Sequence, residues 1–175
     1  MRYYLGCTLK PEVIELHRSL VERISKRFGE SMVKQERTPH ITLKSPFGSN
    51  SPEEIKSFLE RFLKFCLPLT KNLNFSINEL GFFPGKAVYL SVCPSQRLVC
   101  FHRRLLDSIY FERDEYDTPE KKHHITLVGK EAREKLSDIY DFVCGTRINL
   151  ESCVDNLTLF RKSDGLTYVE ESYSL

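Results

Sequence analysis

The spacing of apolar residues changes several times along this chain, and each change marks an element. "RYYLGCTL" near the start is a short aromatic and apolar run of the kind that forms a strand. Pro11 then suits a first helical turn, and Val13, Ile14, His17, Leu20, Val21, Ile24 and Phe28 follow at three- and four-residue steps until Gly29 stops them. A second strand carries "HITL" at His40–Leu43. After "SPFGSN", Ser51 is placed as an N-cap, Pro52 as the first helical residue and Glu54 as the closing member of a capping box. The stripe Ile55, Phe58, Leu59, Phe62, Leu63 predicts a second amphipathic helix, ended before Pro68. "LNFSINELGFF" and "AVYLSV" flank the turn "PGK" as a strand pair. A helix striped by Leu98, His102, Leu105, Leu106 and Ile109 comes next, then a charged loop, "ERDEYDTPEKK", and a further strand. A helix with Ala132, Leu136, Ile139 and Val143 precedes two closing strands, "INLESCVDNLTLF" and, after the turn "RKSDG", "LTYVEESY".

The order of elements repeats. "HITL" returns at His124–Leu127, 84 residues on (124 − 40), and "AVYLSVCP" resembles "YYLGCTLKP" in pattern. From the proline read as opening the helix to the motif histidine is 29 residues in the first half (40 − 11) and 30 in the second (124 − 94). These agreements predict an internal duplication. No low-complexity linker parts the halves, so the expectation is a single domain over residues 1–175, made of two pseudo-symmetric, interleaved lobes with one H-x-T motif each.

Composition narrows the field only slightly. Hydrophobic residues make up 41% and charged residues 29%, ordinary values for a globular protein. The formal net charge of +2 excludes a strongly basic nucleic-acid coat and leaves room for a local basic cleft. Six scattered cysteines show no CxxC pair and no zinc spacing, so they read as small apolar residues of a reducing compartment. With no apolar signal core at the start and no run long enough to span a bilayer, the expected setting is cytoplasmic, without a membrane partner.

The chemistry lies in the repeated motif. Side chains alternate along a strand, so His40 and Thr42 share one face and Ile41 and Leu43 the other; the second copy places His124 with Thr126. If the lobes pack about a pseudo-twofold axis, both polar faces meet in one cleft. There one imidazole can take a proton and the other, as imidazolium, can give one. The threonine hydroxyls can donate to the non-bridging oxygens of a phosphate. The sequence has no HExxH, and no paired carboxylates stand near the motif histidines, so neither a metal nor a cofactor is expected.

Paired H-x-T-hydrophobic motifs in a duplicated chain of this length resemble the two-histidine (2H) phosphoesterase superfamily, in its branch of 2′-5′ RNA ligase-like proteins or RNA 2′,3′-cyclic phosphodiesterases. The final "NLTLFRKSDGLTYVEES" is similar to the end of those chains. The resemblance implies a bilobal α+β fold, with two antiparallel sheets flanked by helices around a central groove, and metal-independent phosphodiester chemistry in a monomer. The substrate would be an RNA end or small nucleotide with a cyclic phosphate or 2′-5′ linkage. His40 and His124 would be the acid/base pair and Thr42 and Thr126 the phosphate clamps. The second motif departs by having His123 where Pro39 precedes the first. Alternation places His123 on the Ile125/Leu127 face, at the strand entrance, with its ring partly solvated. His17 and His102 lie on apolar helical stripes and read as half-buried core or interface residues. Lys44 either shares the reactive face and meets a phosphate or is a solvated lysine. Phe47 either stacks on a base or packs in the core. The alternatives to catalysis on nucleotides are a groove that only binds RNA or nucleotide phosphate, and an esterase acting on another substrate.

Overall fold

A computed structural model describes residues 1–33, 38–118, 120–163 and 166–175. Among these residues, eight strands form two four-stranded antiparallel sheets. The first sheet joins β1 (Arg2–Thr8), β2 (His40–Gly48), β7 (Asn156–Ser163) and β8 (Leu166–Ser174) in the order β2-β1-β7-β8. The second joins β3 (Leu73–Phe83), β4 (Ala87–Pro94), β5 (His124–Val128) and β6 (Leu150–Val154) in the order β5-β4-β3-β6. Each motif strand, β2 or β5, is therefore an edge strand beside the strand that opens its half. The two edges approach each other across the molecule.

Among the described residues, four α-helices flank the sheets: α1 (Pro11–Phe28), α2 (Pro52–Cys66), α3 (Gln96–Ser108) and α4 (Leu136–Val143). Gly29 ends α1 at φ 101°, a conformation other residues resist, and its N–H donates to the Ser25 carbonyl. Ser51 caps α2 by accepting from the Glu54 N–H at 3.3 Å. The Glu54 carboxylate, expected to reach back to Ser51, accepts instead from the Tyr110 hydroxyl at 3.1 Å. One core runs through both halves, including Leu5, Ile41 and Leu59 from the first and Leu90, Leu105 and Ile125 from the second. No helix among the described residues is long and apolar enough to cross a membrane.

Three expected boundaries shift. Pro94 is the last residue of β4, and α3 opens two residues later on a Ser95 cap that accepts from the Leu98 N–H. The helix expected over Ala132–Val143 is a 3₁₀ segment, Lys130–Lys135, leading into α4, with the kink at Ala132. "INLESCVDNLTLF" is two strands in different sheets: β6 pairs with β3, the chain turns at Asp155, and β7 pairs with β1. Periodicity along one segment does not record which sheet it joins. Asp164 and Gly165 of the "RKSDG" turn, and Pro119 of the charged loop, lie outside the described residues.

Candidate functional site

Each motif strand carries a bulge at the same place. Gly6 stands opposite Thr42 and Leu5 opposite Lys44, so Leu43 is passed over in the pairing. Tyr89 stands opposite Thr126 and Val88 opposite Val128, which passes over Leu127. Ahead of the bulge, alternation holds as expected. Ile41, Leu43, Ile125 and Leu127 are buried, while His40, Thr42, His124 and Thr126 are half-buried on the other face.

The two histidine rings are held alike. His40 Nδ1–H donates to the Thr38 carbonyl at 2.8 Å, and His124 Nδ1–H donates to the Lys122 carbonyl at 3.0 Å. A carbonyl oxygen only accepts, so the neutral ring carries its proton on Nδ1 in both copies and Nε2 is the nitrogen that titrates. Each ring also sits on one tyrosine and one phenylalanine. His40 lies 5.1 Å from Tyr4 and 5.0 Å from Phe160, and His124 lies 5.2 Å from both Tyr89 and Phe83. Gly81 makes the second seat possible, because any side chain there would overlap the Tyr89 ring lying over it. An exposed lysine lies over each tyrosine: Lys162 Nζ is 5.6 Å from the Tyr4 centroid and Lys122 Nζ 5.6 Å from that of Tyr89. Burial lowers the His124 pKa below its ordinary value, and the charges of Lys121 and Lys122 add to the effect.

The bulge corrects the reading of Lys44, while Phe47 takes the core alternative. An unbroken strand would set Lys44 beside Thr42. The skipped residue turns it instead to the face of Leu5, where it is fully buried. Its ammonium donates to Asp117 Oδ2 at 2.7 Å and to the carbonyls of Glu112 at 2.7 Å and Ser45 at 3.1 Å. Asp117 also accepts from the backbone N–H groups of Ser45 and Asp114. Burial alone would raise the Asp117 pKa, but these donors and the Lys44 charge hold it below the ordinary value. Phe47 is fully buried and stacks on Phe111 at 4.9 Å. Neither residue lies on the face of the motif histidines.

His123 does lie on the Ile125 face, but it is not solvated. It is 3% exposed, and its ring meets that of His102 edge-on at 4.7 Å. Helix α3 covers this end of the strand. Burial and the neighbouring charges depress the His123 pKa to about 3.

His17 and His102 are more deeply placed than their helical stripes indicate, and both make a specific bond. His17 Nε2–H donates to the Thr126 carbonyl at 3.0 Å, and His102 Nε2–H donates to the Leu43 carbonyl at 2.8 Å. Along with these two, Tyr4, Phe83, Tyr89, Phe160, Lys162 and Asp117 went unmarked as site residues in the sequence. Only alternation in β1 (Tyr4, Gly6, Thr8) held a trace of them, and using it required the strand order. Among the described residues, no group of three or more His, Cys, Asp or Glu side chains is arranged to hold a metal ion.

The sequence model of the 2′-5′ RNA ligase superfamily matches residues 10–166. Three solved structures are similar in fold. One, described as a phosphoesterase, has a TM-score of 0.63 at 16% identity, covering 99% of this chain and 97% of that one. TT0787 of Thermus thermophilus has a TM-score of 0.62 at 19% identity, covering 100% and 98%. E. coli LigT complexed with 3′-AMP has a TM-score of 0.62 at 16% identity, covering 99% and 97%. No curated protein matches the chain.

Proposed function

Since the chain belongs to the 2′-5′ RNA ligase superfamily of 2H phosphoesterases, we propose that it is a metal-independent phosphodiesterase acting on 2′,3′-cyclic phosphates or 2′-5′ linkages of RNA ends or small nucleotides. The observation that carries this reading is the matched seating of His40 and His124. Each gives its Nδ1–H to the carbonyl two residues earlier, so Nε2 is the nitrogen at which either ring exchanges a proton.

In hydrolysis, one imidazole takes a proton from water as the water oxygen bonds to phosphorus. The other imidazolium protonates the ribose oxygen as its bond to phosphorus breaks. Burial beside Lys121 and Lys122 favours the neutral, proton-accepting form of His124. Thr42 and Thr126 hydroxyls would hold the non-bridging oxygens, where charge builds in the transition state. Lys122 and Lys162 add positive charge beside the two histidines, which suits an anionic substrate. A nucleotide in this groove is in keeping with the 3′-AMP carried by LigT. The same reading has the chain working as a monomer in the cytoplasm.

The test is a panel of nucleoside 2′,3′-cyclic phosphates, 2′-5′ dinucleotides and RNA with a cyclic end, each assayed with and without chelator. Turnover of at least one, unchanged by chelator, is expected. Tight binding without turnover would make the groove a binding module. Turnover that chelation abolishes and added metal restores would overturn the mechanism.

A further inference from the structure

We propose that His17 and His102 are positioning residues that fix the two motif strands relative to each other, each helical histidine of one half gripping the motif strand of the other. His17 stands on α1 in the first half and bonds the Thr126 carbonyl in β5. His102 stands on α3 in the second half and bonds the Leu43 carbonyl in β2. The two histidines are 85 residues apart (102 − 17), almost the spacing of the motifs themselves.

A bulge breaks the ladder where it occurs, so nearby strand carbonyls need another donor. Leu43 is the bulged residue of β2, and Thr126 stands next to the bulged Leu127 of β5. One acceptor is the carbonyl of the motif threonine Thr126 and the other that of Leu43, next to Thr42, so they lie two and three residues from the histidines that would react. A leucine could fill either helical site without the cost of burying an imidazole. That cost is high at His102, which is fully buried with Nδ1 unpartnered among the described residues. What the imidazole provides and a leucine lacks is a rigid Nε2–H donor aimed at the opposite strand. The two bonds make a reciprocal tie, so the motif in either half is registered by the helix of the other.

The kinetic consequence rests on the acid/base reading above; the geometric one does not. The variants are His17→Phe and His102→Phe, which keep a ring and lose the donor, and His17→Gln and His102→Gln, which keep an N–H near the Nε2 position. His123→Phe is the control, because it alters the packing on His102 while leaving the Leu43 bond in place. Folded variants are read by histidine-ring ¹⁵N–¹H NMR and by kinetics on a cyclic phosphate. His17→Phe should move the ring signals of His124 more than those of His40. His102→Phe should move those of His40, which His123→Phe leaves in place. Each Phe variant should lose about ten- to a hundredfold in kcat with KM nearly unchanged, as expected for a misplaced catalytic group, and each Gln variant should recover most of it. If the Phe variants do not fold, His17→Asn and His102→Asn, whose shorter amide stops short of the Nε2 position, are read instead, and a ring shift confined to the opposite half supports the tie. Motif rings that stay in place in every folded variant, or a shift confined to a variant's own half, would overturn the proposal. If the wild type turns over nothing in the panel, the functional reading fails, and the NMR pattern still decides this one.

Discussion

The two motif strands are identical over four residues and share a bulge, then diverge immediately on either side. Pro39 precedes the first motif and His123 the second. After the bulge, the first strand turns Lys44 inward and the second turns Val128, both fully buried. The lysine finds a carboxylate on the loop leading to the other motif, whereas the valine packs into the apolar core. On the groove side, two copies of one chemistry need the same side chains in the same seats. On the core side each strand meets different elements, and there the duplicates have been free to differ.

The strongest way to break this comparison is to remove one groove-side ring at a time. His40→Ala and His124→Ala should each lose about 10²–10⁴-fold in kcat/KM on a cyclic phosphate, the usual range for a general acid or base. If one of them retained near-normal turnover, the seats would be alike in geometry and unlike in role. Next in size is the core-side difference. Lys44→Met should cost about 3–5 kcal/mol in urea unfolding, because it leaves a buried carboxylate without its counter-ion. Asp117→Ala should cost at least as much, since it also strips the acceptor from the Ser45 and Asp114 N–H groups. Losses below about 1 kcal/mol in both would mean that the pair adds nothing beyond what Val128 does in the other strand.

A smaller effect separates the residues ahead of the motifs. An unfolded chain protonates His123 near its ordinary value of 6.5, while the folded ring does so only at about 3. Between those values the unfolded state holds more protons, so stability falls as pH falls, by about 1.4 kcal/mol per unit from this group. His123→Phe should flatten the acid limb of a stability–pH curve and keep most of the activity; an unchanged limb would show that the ring is not held neutral. The smallest effect concerns the rim. Lys122→Ala and Lys162→Ala should each raise KM about two- to fivefold, and less at high salt, as expected of exposed charges. If only one did so, the substrate would lean on one lobe.

Much of the groove side was legible in the sequence because it depends on local rules. Alternation placed His40 with Thr42 and His124 with Thr126, and it put His123 on the other face from His124. The duplication marked which histidines to pair. Lys44 was misplaced because a bulge leaves no mark in a strand's own residues; the mismatch lies in its pairing with β1. The aromatic seats depend on strand order, which brings Phe160 beside Tyr4 from the far end of the chain. His17 and His102 looked like core residues because a helical stripe shows what a side chain covers and not what its ring nitrogen reaches.

The turn at Asp155 governs the order in which this molecule can assemble. β1 leaves the ribosome long before one of its two neighbours, β7, has been made. Until the hairpin of β7 and β8 arrives, one edge of β1 lies open, bearing Tyr4 and Leu5. An open strand edge can recruit any compatible strand. At high concentration the nearest compatible hairpin belongs to another copy of the chain, and the exchange would reproduce every native contact of the first sheet across two molecules. The connection that ties the two sheets into one body therefore also sets its hazard in refolding: exchanged dimers, expected to grow with protein concentration.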